Sequence, residues 1–142
     1  LKVLDFCKFD HQKDKLVNNL PVAGRKRLEI TRALATKPEL LLLDETAAGL
    51  NPGELEEAVG LIKKIRENGI SILIVEHIMK VVMTLSDRIH AINFGRTIAE
   101  GTPREVANNP AVIKAYLGET HAQGYWDQCL LWRPAGPLGR YF

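Results

Sequence analysis

None of the eleven glycines in this 142-residue sequence is followed by lysine. The chain therefore holds no G-x-x-x-x-G-K-[ST] loop, in which glycine lets backbone amides approach phosphates and lysine supplies charge. Long apolar runs are lacking too. The longest stretch to test, Ile70 to Val75 with Ser71 inside it, is far below the roughly 20 residues of a membrane-spanning helix, so the chain is not expected to cross a bilayer. Neither sign of charge dominates: nineteen Lys and Arg against seventeen Asp and Glu leave +2, which gives no electrostatic case for a nucleic-acid partner. There are two cysteines, Cys7 and Cys129, far apart and without metal-ligand spacing. They are expected to be free thiols of a reducing cytosol. Residues 1–10 lack the charged, apolar and small-residue order of a secretory signal.

What is present is an ordinary globular composition, 46% hydrophobic and 25% charged, at a length that suits one domain. Composition shifts once, near Thr120. Five of the nine aromatic residues fall in residues 121–142, with several prolines and glycines and no lysine. That segment has neither helical nor strand periodicity and reads as an irregular tail behind an organised part, residues 1–120.

Within the organised part, helical and strand patterns alternate. Ile30, Ala33 and Leu34 share a face of a helix expected to begin after Gly24 and to end before Pro38. Leu40 to Leu43 form a short apolar run, which suits a strand buried on both faces of a parallel sheet. Asn51 caps a helix with Pro52 at its first position, Leu55, Val59, Ile62 and Ile65 recur along one side, and Asn68 and Gly69 end it. Ile70 to Val75 follows as a second buried strand, completing a β-α-β unit. Met79 to Leu85 is a further helix. Ile89 to Asn93 and Arg96 to Glu100 outline a hairpin around Phe94 and Gly95, Thr102 with Glu105 forms a capping box, and Pro110 opens a last helix to Leu117.

Both strands of the unit run into polar groups, Leu43 into Asp44 and Glu45, Val75 into Glu76 and His77. Parallel neighbours put these on one carboxyl edge, where open α/β sheets bind ligands. Two adjacent carboxylates suit a magnesium ion and a water molecule, and a histidine there can donate to a phosphate. Taken singly, Asp44 equally fits the start of a turn and His77 a helix cap.

The block RLEITRALATKPELLLLDETAAGLNP, Arg27 to Pro52, followed by ILIVEH, resembles the C-terminal half of the ATPase subunits of ABC transporters. The stretch from Val75 to Glu119 is most similar to those of branched-chain amino-acid importers. The resemblance implies an α/β fold, the C-terminal part of a P-loop NTPase domain with a parallel β-sheet core flanked by helices. It also implies roles. Asp44 would hold the magnesium shell, Glu45 would orient the attacking water, and His77 would touch the γ-phosphate of ATP. Ala48, Gly49, Leu50 and Asn51 correspond to the loop along the interface with a second ATPase subunit, identical or not. Leu20, Pro21, Val22, Ala23 and Gly24 take the place of the signature loop, whose amides grip the partner's nucleotide at a helix N-terminus. Membrane permease subunits are the other implied partners, which places the protein in the cytoplasm, on the inner face of the plasma membrane.

The sequence departs from that pattern at named positions. Pro21, Val22 and Ala23 stand where the signature has serine and glycine, and Arg25 replaces a glutamine. Proline offers no N–H, and the serine hydroxyl is missing. Arg25, Lys26 and Arg27 either compensate by charge or form a solvated basic helix start. Thr46 replaces a proline. The phosphate loop and the loop that meets the membrane subunit are absent, so this chain by itself is expected to hydrolyse no ATP and to expose strands whose neighbours are missing. Two other readings remain: a non-catalytic module that pairs with an intact ABC ATPase, and a non-transport ABC ATPase, against which the near-neutral charge and the importer-like stretch argue.

Overall fold

The computed structural model describes residues 2–117, in two units that divide after Leu85. The expected tail, residues 121–142, and Cys129 lie outside the described residues; Cys7 is buried as a free thiol.

The first unit runs α1 (Lys2–Phe6), two short 3-10 turns, α2 (Val22–Ala35), β1 (Leu40–Asp44), α3 (Pro52–Glu67), β2 (Ser71–Val75) and α4 (Met79–Leu85). β1 and β2 pair in parallel, with Leu40 opposite Ser71 and Asp44 opposite Val75. Because side chains alternate along a strand, Leu41 and Leu43 of β1 face inward with Ile72 and Ile74 of β2. They join Ile30 and Leu34 of α2, Ile62 and Ile65 of α3 and Val81 of α4 in one apolar cluster. Asn51 closes the start of α3 with a reciprocal capping box, its side chain accepting from the Glu54 N–H while the Glu54 carboxylate accepts from its own. Such a cap stabilises a helix by about 1 kcal/mol.

Two expectations are corrected here. The strands are buried on one face only: Leu42 is 66% exposed and Leu73 58%, and Leu40 and Val75 are similarly open. The helices of this unit feed the cluster on the inner face, and no described element of the same unit covers the outer one. Secondly, α2 starts at Val22, before Gly24. Pro21 sits at the N-cap in an extended conformation, where its fixed φ fits and its missing N–H costs nothing. Gly24 thus lies inside the first turn, where a Cβ would come within 3.3 Å of Gln12 Oε1 and of Pro21 Cδ.

The second unit pairs β3 (Ile89–Asn93) with β4 (Arg96–Gly101) in antiparallel, followed by α5 (Pro103–Ala107) and α6 (Pro110–Leu117). Phe94 and Gly95, both at positive φ, make the two-residue turn that suits a twisted hairpin. A register shift between Ala91 and Ile92 explains the imperfect alternation of β3. Ala91, Val106 and Val112 form this unit's small core. Among the described residues no helix is long and apolar enough to cross a membrane.

Thr102 caps α5, and its backbone N–H and hydroxyl both donate to Glu105 Oε2 at 2.8 Å. These bonds hold the Glu105 carboxyl below its ordinary pKa. A lowered carboxyl contributes stability above its unfolded pKa and loses it as pH falls through the folded one. Glu105→Gln is therefore expected to weaken the acid-induced loss of stability below about pH 4.5, read from thermal midpoints in a pH series; an unchanged pH slope would contradict the cap's role. The open sheet face generates a second expectation. Paired Leu42 and Leu73 replaced together by threonine should reduce self-association in sedimentation velocity, with little loss of thermal stability, because neither side chain is in the core.

Candidate functional site at the carboxyl edge of the parallel pair

The residues singled out in the sequence gather at one end of the first unit. Glu45 follows β1 directly, and its N–H donates to the Val75 carbonyl at 3.0 Å, extending the ladder one step past the strand. This brings the Glu45 carboxylate to His77, with Oε1 3.4 Å from Nδ1. Both side chains are about 60% exposed, so the pair adds little to stability and stands open to a ligand. Asp44 is exposed beside them at the end of β1.

Glu45 adopts φ +44°, a left-handed conformation that non-glycine residues visit at a cost of roughly 1 kcal/mol or more. Lys26 Nζ, from the second turn of α2, donates to the Glu45 carbonyl at 2.7 Å. Glu76 Oε1 accepts from the Ala47 N–H at 2.8 Å and from the Thr46 hydroxyl at 3.4 Å. Its other oxygen, Oε2, is buried with no hydrogen-bond partner among the described residues. Thr46, read in the sequence as the loss of a stiffening proline, is thus tied down by its hydroxyl.

Ala48, Gly49, Leu50 and Asn51 form the turn that leads into α3, and a Cβ on Gly49 would lie 3.8 Å from Val22 Cγ1. The start of α2 and this turn are therefore neighbours in one chain. Leu20 and Gly24 are buried, Pro21 and Val22 exposed, and Ala23 is partly covered. No side chain caps the N-terminus of α2. Of the three basic residues there, Lys26 is engaged with Glu45 and Arg27 Nη2 donates to Glu57 Oε2. Their charge serves contacts inside the chain.

Lys26 and Glu76 were not singled out as site residues in the sequence. Glu76 reads as one more polar strand end, and only the β1–β2 register shows it crossing under the Glu45 turn. Lys26 reads only as one of three basic residues at the start of α2, with no signal that it reaches the Glu45 turn.

Residues 96–122 match the family model described as branched-chain amino acid ATP-binding cassette transporter. The high-affinity branched-chain amino acid transport ATP-binding protein LivG of Escherichia coli is 50% identical over 107 residues, which are 75% of this chain and 42% of that protein. The high-affinity branched-chain amino acid transport ATP-binding protein BraF of Pseudomonas aeruginosa is 48% identical over 107 residues, again 75% of this chain and 42% of that protein. A nucleotide-free ATP-binding cassette from an ABC transporter superposes with a TM-score of 0.77 at 32% identity, covering 83% of this chain and 48% of that one. The chain matches the C-terminal part of the ATP-binding domain of ABC transporters.

Its α/β fold is of the ABC ATPase type, and the chain spans somewhat under half the length of the curated relatives it matches. Relatives outside amino-acid transport are similar as well: the lipopolysaccharide export system ATP-binding protein LptB of Haemophilus influenzae is 34% identical over 118 residues, 83% of this chain and 49% of that protein.

The donor set at the edge fits a magnesium ion shared with phosphate oxygens. Asp44 and Glu45 are adjacent, exposed carboxylates, while among the described residues no group of three His, Cys, Asp or Glu could enclose a metal by itself. Magnesium keeps several waters and takes one or two carboxylates together with phosphates. Titrating the chain with Mg²⁺ alone should accordingly leave the Asp44 and Glu45 NMR resonances unmoved below about 1 mM. Tight binding without nucleotide would show a different kind of metal site.

Proposed function

We propose that this chain is the C-terminal part, residues 1–120 with an irregular tail at 121–142, of the ATP-hydrolysing subunit of an ABC importer for branched-chain amino acids. The observation that carries the reading is the meeting of Glu45 and His77 at 3.4 Å on the carboxyl edge, in a sequence 50% identical to LivG. Asp44 would hold the hydration shell of Mg²⁺, whose chemistry is to neutralise charge on the phosphate oxygens. The Glu45 carboxylate orients the attacking water and accepts its proton, and His77 holds Glu45 in place and donates to the terminal phosphate. Positioning and electrostatics supply most of such catalysis, so a chain with the carboxylates and no glycine-lysine loop cannot turn over ATP.

The loop Leu20–Gly24 and the turn Ala48–Asn51 would face a second ATPase subunit. Their adjacency through Val22 and Gly49 supports one continuous interface. Membrane permease subunits would convert closure of that interface into transport at the inner face of the plasma membrane. The same adjacency also suits a second reading, a non-catalytic module that docks on an intact ATPase.

Replacing the matching C-terminal part of Escherichia coli LivG by this chain tests the proposal. The chimera is expected to hydrolyse ATP, and Glu45→Gln to lower kcat by on the order of a hundredfold or more. An inactive, folded chimera that still binds full-length LivG would favour the docking module. Turnover by the 142-residue chain alone would overturn the reading.

A further inference from the structure

The Glu45 backbone is in a conformation that its own residue type does not favour, with φ +44°. Something outside the turn must hold it, and the contacts that do so come from two distant parts of the first unit. Lys26 reaches from α2, 19 positions earlier, to the Glu45 carbonyl at 2.7 Å; the Ala48 N–H, the other donor to that oxygen, is at 3.3 Å. Glu76 reaches from the end of β2 to the Ala47 N–H at 2.8 Å and the Thr46 hydroxyl. A carboxylate with one oxygen buried and unpartnered among the described residues is expensive. That cost is sustained where the remaining oxygen fixes a geometry that the site requires.

We propose that Lys26 and Glu76 are positioning residues that together clamp the turn 45–48, so that the Glu45 carboxylate is aimed at His77. The proposal rests on the reading of Glu45 as the group that orients water. It adds a link between two parts of the site. Lys26 stands one turn inside α2, whose first residues face the second subunit's nucleotide in that reading.

NMR of the full 142-residue chain tests the clamp itself. Glu76→Ala should speed amide exchange at Ala47 by roughly tenfold, the loss of one buried hydrogen bond, while Ile62 and Ile65 in α3 keep their protection; Glu76→Gln, which retains an acceptor oxygen, should keep Ala47 protected. Lys26→Met should shift the Glu45 carbonyl and His77 ring resonances, and Lys26→Arg should restore them. Unchanged Ala47 exchange in Glu76→Ala, or unchanged resonances in Lys26→Met, overturns the clamp. Should Glu76→Ala fail to fold, an unprotected Ala47 in Glu76→Gln overturns it equally. In the LivG chimera, Lys26→Met should lower kcat by on the order of tenfold with KM for ATP little changed, which a general loss of folding would not produce. If Glu45→Gln leaves the chimera's turnover intact, the role of Glu45 fails while the resonance data still decide the clamp.

Discussion

Asp44 lies opposite Val75 because β1 and β2 pair in parallel, and this one register decides which groups emerge together at the sheet edge. A slip by one residue would turn Leu41 and Leu43 outward and carry Glu45 to the other face. Burial on the inner face prevents it, since Leu41, Leu43, Ile72 and Ile74 are the residues that meet α2, α3 and α4. The packing of the core and the placement of the carboxylates are therefore set by the same alternation. The Glu45 N–H bonding to the Val75 carbonyl is its last step.

Local chemistry made much of this visible in the residues alone. Asn51 with Pro52 and Thr102 with Pro103 mark helix starts by side-chain acceptors that depend on nothing distant, and both capping boxes are formed. The helix Met79–Leu85 and the hairpin around Phe94 and Gly95 follow from periodicity and turn chemistry in the same way. Where tertiary context decides, the sequence was a poorer guide. The run Leu40 to Leu43 has the composition of a strand covered on both sides, but cover is a property of neighbours. Gly24 looks like a loop residue before a helix, whereas it lies inside the helix's first turn, where Gln12 and Pro21 approach closely.

The site divides along the same line. Asp44, Glu45 and His77 were legible because short motifs place them at strand ends. The clamp around them was not, since the Lys26 bond joins α2 to a turn 19 positions on and the Glu76 bond crosses between strands. Such ties carry no signature of composition or spacing. The metal candidate Asp44 and the catalytic candidates Glu45 and His77 are exposed, whereas Lys26 and Glu76, which bond to the turn that carries Glu45, are partly covered.

The uncovered face of the parallel pair, with Leu40, Leu42, Leu73 and Val75 displayed on it, also bears on how long such a chain lasts in a cell. Chaperones and proteases recognise surfaces of this kind as unfinished folding. Burial of those four side chains by another polypeptide surface would therefore lengthen the chain's lifetime even where the free energy of unfolding is unchanged.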